Sequence, residues 1–169
     1  MKYFLVASRI SSEKGIPMAM EAANKLGVKL KIVGEFAGLK WEENKINKQK
    51  SENIEFLGRV SDKDLRDLYA GAEAFLALEQ DVDFGMTPVE AMAAGTPVVA
   101  YASGGYLETV IEGKTGTFFH KYDVESLMEA MKQVQKLKFK REELIKQAQK
   151  FSREEFVKKM KEIVYAGIS

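Results

Sequence analysis

A carboxylate at Glu90, a hydroxyl at Thr87 and a glycine-framed turn at Phe84-Gly85-Met86 stand close together in the stretch DVDFGMTPVEAMAAGTPVVAY, residues 81–101. The turn leads directly into a helix start. Thr87 is placed as the N-cap, Pro88 as the first helical residue and Glu90 as the third. Gly95 and Pro97 end that helix, and VVAY follows as an apolar, β-branched run. Free backbone N–H groups at such a start, with the helix dipole behind them, suit a phosphate. Glu90 on the first turn then lies beside whatever carries the phosphate, which suggests a nucleotide-linked ligand. The same four residues, Thr87-Pro88-Val89-Glu90, also read as a capping box in which Glu90 reaches back to the Thr87 N–H. On local sequence alone the capping box is the stronger reading.

Other charged and special residues divide in the same way. Arg9 and Lys14 lie five positions apart in one loop, next to Ser8 and Gly15. Two such cations can neutralise a diphosphate, Arg as a fork and Lys as a point charge. They read equally well as solvated loop charges beside Glu13. Asp81-Val82-Asp83 spaces two carboxylates as a divalent-metal site would, with phosphate oxygens completing it. The pattern is short and common by chance, so no metal is assigned. His120 reads as a structural histidine. Gly104-Gly105 is a turn or a place of close backbone approach. Phe36 and Trp41 could stack on a base, but packing is the favoured role. There is no Walker A loop, no GxGxxG and no GxSxG.

The elements that must position these residues alternate regularly. Strand-like runs are expected at residues 3–8, 30–33, 54–57, 74–78, 98–101 and 117–119. Helices are expected at 16–26, 38–49, from the Ser61 cap to about 70, from Thr87, and at 106–111. Asp123 caps a further helix to about 137. Two Lys/Glu-rich helices, from about 141 and 153, are read as solvated faces with i,i+4 pairs. Six strands alternating with helices imply β-α-β units, hence an α/β fold with a doubly wound, Rossmann-like parallel sheet and C-terminal helices. Such sheets bind ligands at the carboxyl ends of their strands. Those ends carry Ser8-Arg9, Gly34-Glu35, Gly58-Arg59, the loop from Glu79 to Met86, and Ser103-Gly104-Gly105, so one edge collects the glycines, charges and hydroxyls.

Composition narrows the class. The 169 residues, 46% hydrophobic and 30% charged, suit one soluble globular domain spanning 1–169. A net charge of +1 argues against nucleic acid as the main partner. With no cysteine and one histidine, thiolate and multi-histidine metal sites are excluded. No apolar run reaches the roughly 18 residues of a membrane span, and the first residues do not form a signal peptide. A cytoplasmic protein is expected, with peripheral association at the inner membrane face left open.

Taken in order, ASRISSEKGI (7–16), IVGE (32–35), EFLGRVSDKDLRDLYAGAEAFL (55–76), FGMTPVEAMAAGTPVVAYASGG (84–105) and ETVIEGKTG (108–116) resemble the C-terminal, donor-binding half of a retaining GT-B glycosyltransferase. The group is the one that holds mannosyltransferases, sucrose synthase and glycogen synthase. The resemblance implies that Arg9 and Lys14 hold the donor diphosphate. It implies that Gly85, Met86 and Thr87 contact phosphate and sugar at the helix start, and that Glu90 binds the ribose hydroxyls. Arg59 would border the nucleobase, and Ser8, Gly34, Asp83, Phe84 and Gly105 complete the expected donor contacts. The implied donor is a nucleotide-diphosphate sugar, GDP-mannose favoured, with neither metal nor other cofactor.

Two departures qualify the resemblance. The family pattern carries a second glutamate that would fall at position 82, where this chain has Val82. Asp81, Asp83 and Glu79 are the acids near enough to substitute. The N-terminal acceptor domain expected of such enzymes has no counterpart in this sequence, so the chain alone is expected to bind donor weakly and transfer nothing. Hexose transfer to a glycan or lipid-linked acceptor is the leading function. A non-catalytic nucleotide-binding or partner-docking module is the alternative. A nucleotide-sugar epimerase half and a metal-dependent transferase rank lower.

Overall fold

The computed structural model describes residues 2–36 and 40–166. In chain order the elements are β1 (Phe4–Ala7), α1 (Ile16–Leu26), β2 (Leu30–Val33), α2 (Lys40–Asn47), β3 (Ile54–Gly58), α3 (Asp62–Gly71), β4 (Ala74–Ala77), α4 (Met86–Ala93), β5 (Val98–Tyr101), α5 (Tyr106–Thr109), β6 (Gly116–Phe119), α6 (Val124–Lys136), α7 (Arg141–Gln149) and α8 (Arg153–Ala166). All six strands join one parallel sheet in the order β3-β2-β1-β4-β5-β6. The expected doubly wound α/β architecture is therefore the one observed.

Strand alternation explains the two layers. Phe4, Val6, Ile32, Leu76 and Val99 enter one apolar cluster, which α1 and α6 cover with Met20, Ala23, Leu127 and Met131. Leu5, Phe75, Ala77, Val98 and Ala100 enter the other, covered by α4, α5 and α7 through Val89, Met92, Tyr106 and Leu144. Because both faces are buried, β1, β4 and β5 read as uninterrupted apolar runs, whereas β2 and β3 carry Lys31 and Glu55 and β6 carries the buried Thr117.

Several boundaries shift. The helix expected from Gly38 to Gln49 is observed as Lys40–Asn47, and its expected first residues lie outside the described residues. Helix α5 ends at Thr109, so Val110, in extended backbone, and Ile111 lie outside it. Ser61 and Asp123 cap α3 and α6 as expected, accepting from the Asp64 and Ser126 N–H groups. Of the two last helices, α7 differs from the solvated face expected, whereas α8 is solvated as expected. Helix α7 buries Leu144, Gln147 and Ala148, and the Gln147 amide donates to the Thr109 carbonyl at 2.9 Å. Helix α8 leaves Phe156, Met160, Ile163 and Val164 exposed. The ion pair found in this region among the described residues is Lys140–Glu143, an i,i+3 contact at 3.9 Å.

Candidate functional site

The chain winds outward from β1 to β2 and β3, then returns to place β4 on the other side of β1. That reversal opens a crevice above the carboxyl ends of β1 and β4, the position where open α/β sheets bind ligands. Two loops border it, residues 8–15 after β1 and 78–85 after β4.

The first loop is pinned along its length. The Ser8 and Ile10 N–H groups donate to the Val33 and Glu35 carbonyls at 3.0 and 2.8 Å. The Ser12 N–H donates to the Glu42 carboxylate at 2.6 Å, which holds that carboxyl below its ordinary range. Gly34 is required here, because a Cβ on it would overlap the Ser8 carbonyl oxygen. Arg9 is exposed and makes no ion pair among the described residues. Lys14 instead pairs with Glu79 at 2.6 Å.

The second loop corrects the expected helix start. Gly85, not Thr87, caps α4, with φ 75 and no side-chain cap bond. A Cβ at Gly85 would lie 2.6 Å from the Tyr106 ring, so the left-handed turn and the buried tyrosine require each other. Thr87 and Pro88 are thus the second and third helical residues and Glu90 the fifth. Proline is tolerated there because its missing N–H falls among the unpaired donors of the first turn. The capping box does not form. The Glu90 carboxylate instead accepts the Tyr69 hydroxyl at 3.0 Å. Among the described residues the N–H groups of Gly85, Met86 and Thr87 have no acceptor, so these donors face the crevice end of the helix dipole uncapped.

Tyrosines that sequence reasoning did not single out surround these groups. Burial, and then the Glu90 carboxylate, push the Tyr69 phenol far above its ordinary value, so it remains a donor. Burial, and then Glu79, do the same to Tyr106. The Tyr122 phenol is raised by burial first, then by Tyr101 and Glu79. Its hydroxyl lies against Gly15. A cavity of about 10 Å³ between Ser8, Lys14, Glu79, Thr87 and Tyr106 closes the floor of the crevice. Glu79, expected only as an acid near enough to stand in for the glutamate missing at position 82, lies two residues past β4 and pairs with Lys14.

The remaining candidates separate. Arg59 and Asp83 are exposed at the edge, past β3 and before α4. Phe84 packs edge-on against Phe151 at 5.3 Å, which ties the loop to the end of α7. The Gly105 N–H donates to the Val82 carbonyl at 2.8 Å, and a Cβ there would strike the Phe84 backbone, so this glycine knits two loops together. Val82 packs its side chain on the second apolar cluster. Asp81 adopts φ 52, and its carboxylate accepts from Ser103 at 3.4 Å. Phe36 packs on Phe56, whereas Trp41 is 64% exposed, against the packing role expected for it. His120 is exposed. Among the described residues no cluster of three metal-ligating side chains forms, and no helix is long and apolar enough to cross a membrane.

Comparison with known proteins gives a consistent picture. The family described as "Glycosyl transferases group 1" matches residues 1–151. Mannosylfructose-phosphate synthase of Agrobacterium fabrum is 30% identical over 142 residues, 75% of this chain and 31% of its own length. Glycogen synthase of Thermus thermophilus is 32% identical over 125 residues, 71% of this chain and 28% of its own. Among solved structures, Anabaena HepE in complex with UDP and glucose superposes with a TM-score of 0.80 at 21% identity, covering 98% of this chain and 48% of that one. A glycosyltransferase of Rickettsia africae gives 0.84 at 22% identity, covering 96% and 47%. The chain therefore spans about a third of those curated relatives and about half of those solved chains.

Proposed function

The chain belongs to the glycosyl transferases group 1 family, and we propose that residues 1–169 form the nucleotide-sugar-binding domain of a retaining hexosyltransferase. The observation that carries this reading is the crevice itself. Arg9 and Lys14 border it on one side, and the uncapped N-terminus of α4 borders it on the other, with Glu90 just over one turn along. An anion and a hydroxyl-bearing group, joined as in a nucleoside diphosphate, match that set of donors and acceptors.

In this reading Arg9 and Lys14 hold the diphosphate. The Gly85 and Met86 N–H groups with the Thr87 hydroxyl take a phosphate and the donor sugar, and Glu90 accepts the ribose hydroxyls. Arg59 borders the base, with Ser8 and Gly34 shaping the floor on that side. Asp83, Phe84 and Gly105 shape the sugar side. Mannose is the favoured sugar and GDP-mannose the favoured donor. A mannosyltransferase of Rhizobium leguminosarum, 38% identical over 81 residues, supports mannose, while the glycogen synthase similarity keeps glucose as its competitor. Binding is metal-independent, and the protein works in the cytoplasm. The acceptor, a glycan or lipid-linked saccharide, is held by an N-terminal domain outside these residues, so the chain alone transfers nothing.

The test is calorimetric titration with GDP, UDP, ADP, GDP-mannose and UDP-glucose, with and without EDTA. Metal-independent binding of one diphosphate series supports the reading and names the base. Turnover by the isolated chain sinks the claim of inactivity. The second reading, a non-catalytic nucleotide-binding or docking module, is favoured by one observation: Val82 is spent on packing where a sugar-facing carboxylate is expected. It predicts that an added acceptor domain assembles with the chain and restores no transfer.

A further inference from the structure

The two cations of the loop after β1 stand in different surroundings. Arg9 is exposed and pairs with no acid among the described residues, whereas Lys14 ends 2.6 Å from Glu79, the two side chains being 22% and 27% exposed. The pair is enclosed on its inner side. The cavity it shares with Ser8, Thr87 and Tyr106 measures about 10 Å³, room for a single water and not for an anion. Glu79 also raises the Tyr106 and Tyr122 phenols through its charge, after burial, and Tyr106 lines the same cavity. A diphosphate that reaches the Lys14 ammonium must therefore meet it where the Glu79 carboxylate is already bound, at 2.6 Å. Phosphate oxygens and a carboxylate on one half-sheltered ammonium are like charges at close range, weakly screened by solvent.

We propose that Glu79 is an internal competitor for the donor diphosphate: carboxylate and diphosphate exclude one another on Lys14, and Glu79 swings toward solvent when the diphosphate binds. The inference rests on the reading of Lys14 as a diphosphate ligand. Glu79 is then a positioning residue with two effects. It holds the ammonium in place within the crevice before donor arrives. It also returns to the ammonium as the nucleoside diphosphate leaves, which weakens product retention at a step that limits many enzymes. No bond is made or broken, and one anion replaces another on the same cation.

The experiment is a double-mutant cycle read by calorimetry. UDP, GDP, ADP and inorganic pyrophosphate are titrated into the wild-type chain, Glu79→Gln, Lys14→Met and the double variant. Glu79→Gln is expected to bind the preferred diphosphate about fivefold to tenfold more tightly than wild type, the release of a half-sheltered pair of about 1 kcal/mol. That gain is expected to vanish in the Lys14→Met background. Glu79→Asp, which keeps the charge but shortens the reach, is expected to show a smaller gain and guards against a folding defect in Glu79→Gln. A purely structural role for Glu79 predicts weaker binding and cannot produce a gain. Equal or weaker binding by folded Glu79→Gln and Glu79→Asp, or a gain that persists without Lys14, overturns the competition while leaving the diphosphate site in place. Binding by neither wild type nor any variant overturns the functional reading and the competition together.

Discussion

Tyr69 and Glu90 share a hydrogen bond of 3.0 Å across the α3–α4 contact, the phenol donating to the carboxylate. Tyr69 is buried beneath it, while Glu90 is exposed and borders a groove of about 510 Å³ that runs between α3 and α4. The bond aims Glu90 without using its second oxygen. Tyr69→Phe should lower stability by about 1 kcal/mol, the net worth of one such bond. It should also weaken GDP or UDP binding several-fold and leave pyrophosphate binding unchanged, because only the ribose contact depends on Glu90. Denaturant melts and paired titrations check both halves, and equal loss for pyrophosphate would remove Glu90 from ribose recognition.

Gly85→Ala should be markedly destabilising. The new methyl must be held at φ 75 and 2.6 Å from the Tyr106 ring. Left-handed strain and the displaced ring together should cost about 2 kcal/mol or more. Urea unfolding midpoints measure this. A variant as stable as wild type would show that Tyr106 repacks freely.

Arg9→Ala should separate binding from folding. The side chain is exposed and pairs with no acid among the described residues, so stability should stay within about 0.5 kcal/mol. Affinity for the bound nucleoside diphosphate should fall at least about tenfold, the order expected for one charge-assisted contact to phosphate. The loss should shrink as salt is raised. Unchanged affinity in calorimetry would take Arg9 out of the site.

Alkaline pH should reveal the buried phenols. Tyr69 and Tyr106 are both raised above the ordinary tyrosine value by burial first. A raised folded value means that the native state keeps protons which the unfolded chain releases. Their contribution is therefore fully present below about pH 10 and declines as pH climbs past the unfolded value. Stability measured from pH 8 to 11 should be flat and then fall, and Tyr69→Phe or Tyr106→Phe should flatten the descent. An unchanged slope in both variants would contradict this account.

The sheet was legible in the amino-acid sequence because the strands are short, mostly apolar and mostly followed by a glycine, charge or hydroxyl. Those cues are local. What escaped was set by distant contacts. Thr87 and Glu90 have the right spacing for a capping box, yet the helix starts at Met86 because Tyr106, in another element, packs on Gly85. Glu90 turns to Tyr69 in α3, and Lys14 finds Glu79 across the β1–β4 seam. Neither partner can be read from spacing along one loop. The Lys/Glu richness of α7 concealed Gln147, whose amide is buried against Thr109.

The β1–β4 seam has a consequence for how this protein is made. Phe4 aligns with Ala74, so the central pairing of the sheet joins strands seventy positions apart in sequence, from 4 to 74. The first three strands can pair as they emerge, each with a neighbour close in the chain. Closing the seam requires a long loop to be drawn together, the kind of non-local step that slows folding. Arg9, Lys14 and Gly34 lie on one side of it, and Glu79, Gly85 and Glu90 on the other. The crevice therefore comes into existence only when this non-local seam closes, and a ligand that bridges the two sides would act as a clasp on a newly synthesised chain.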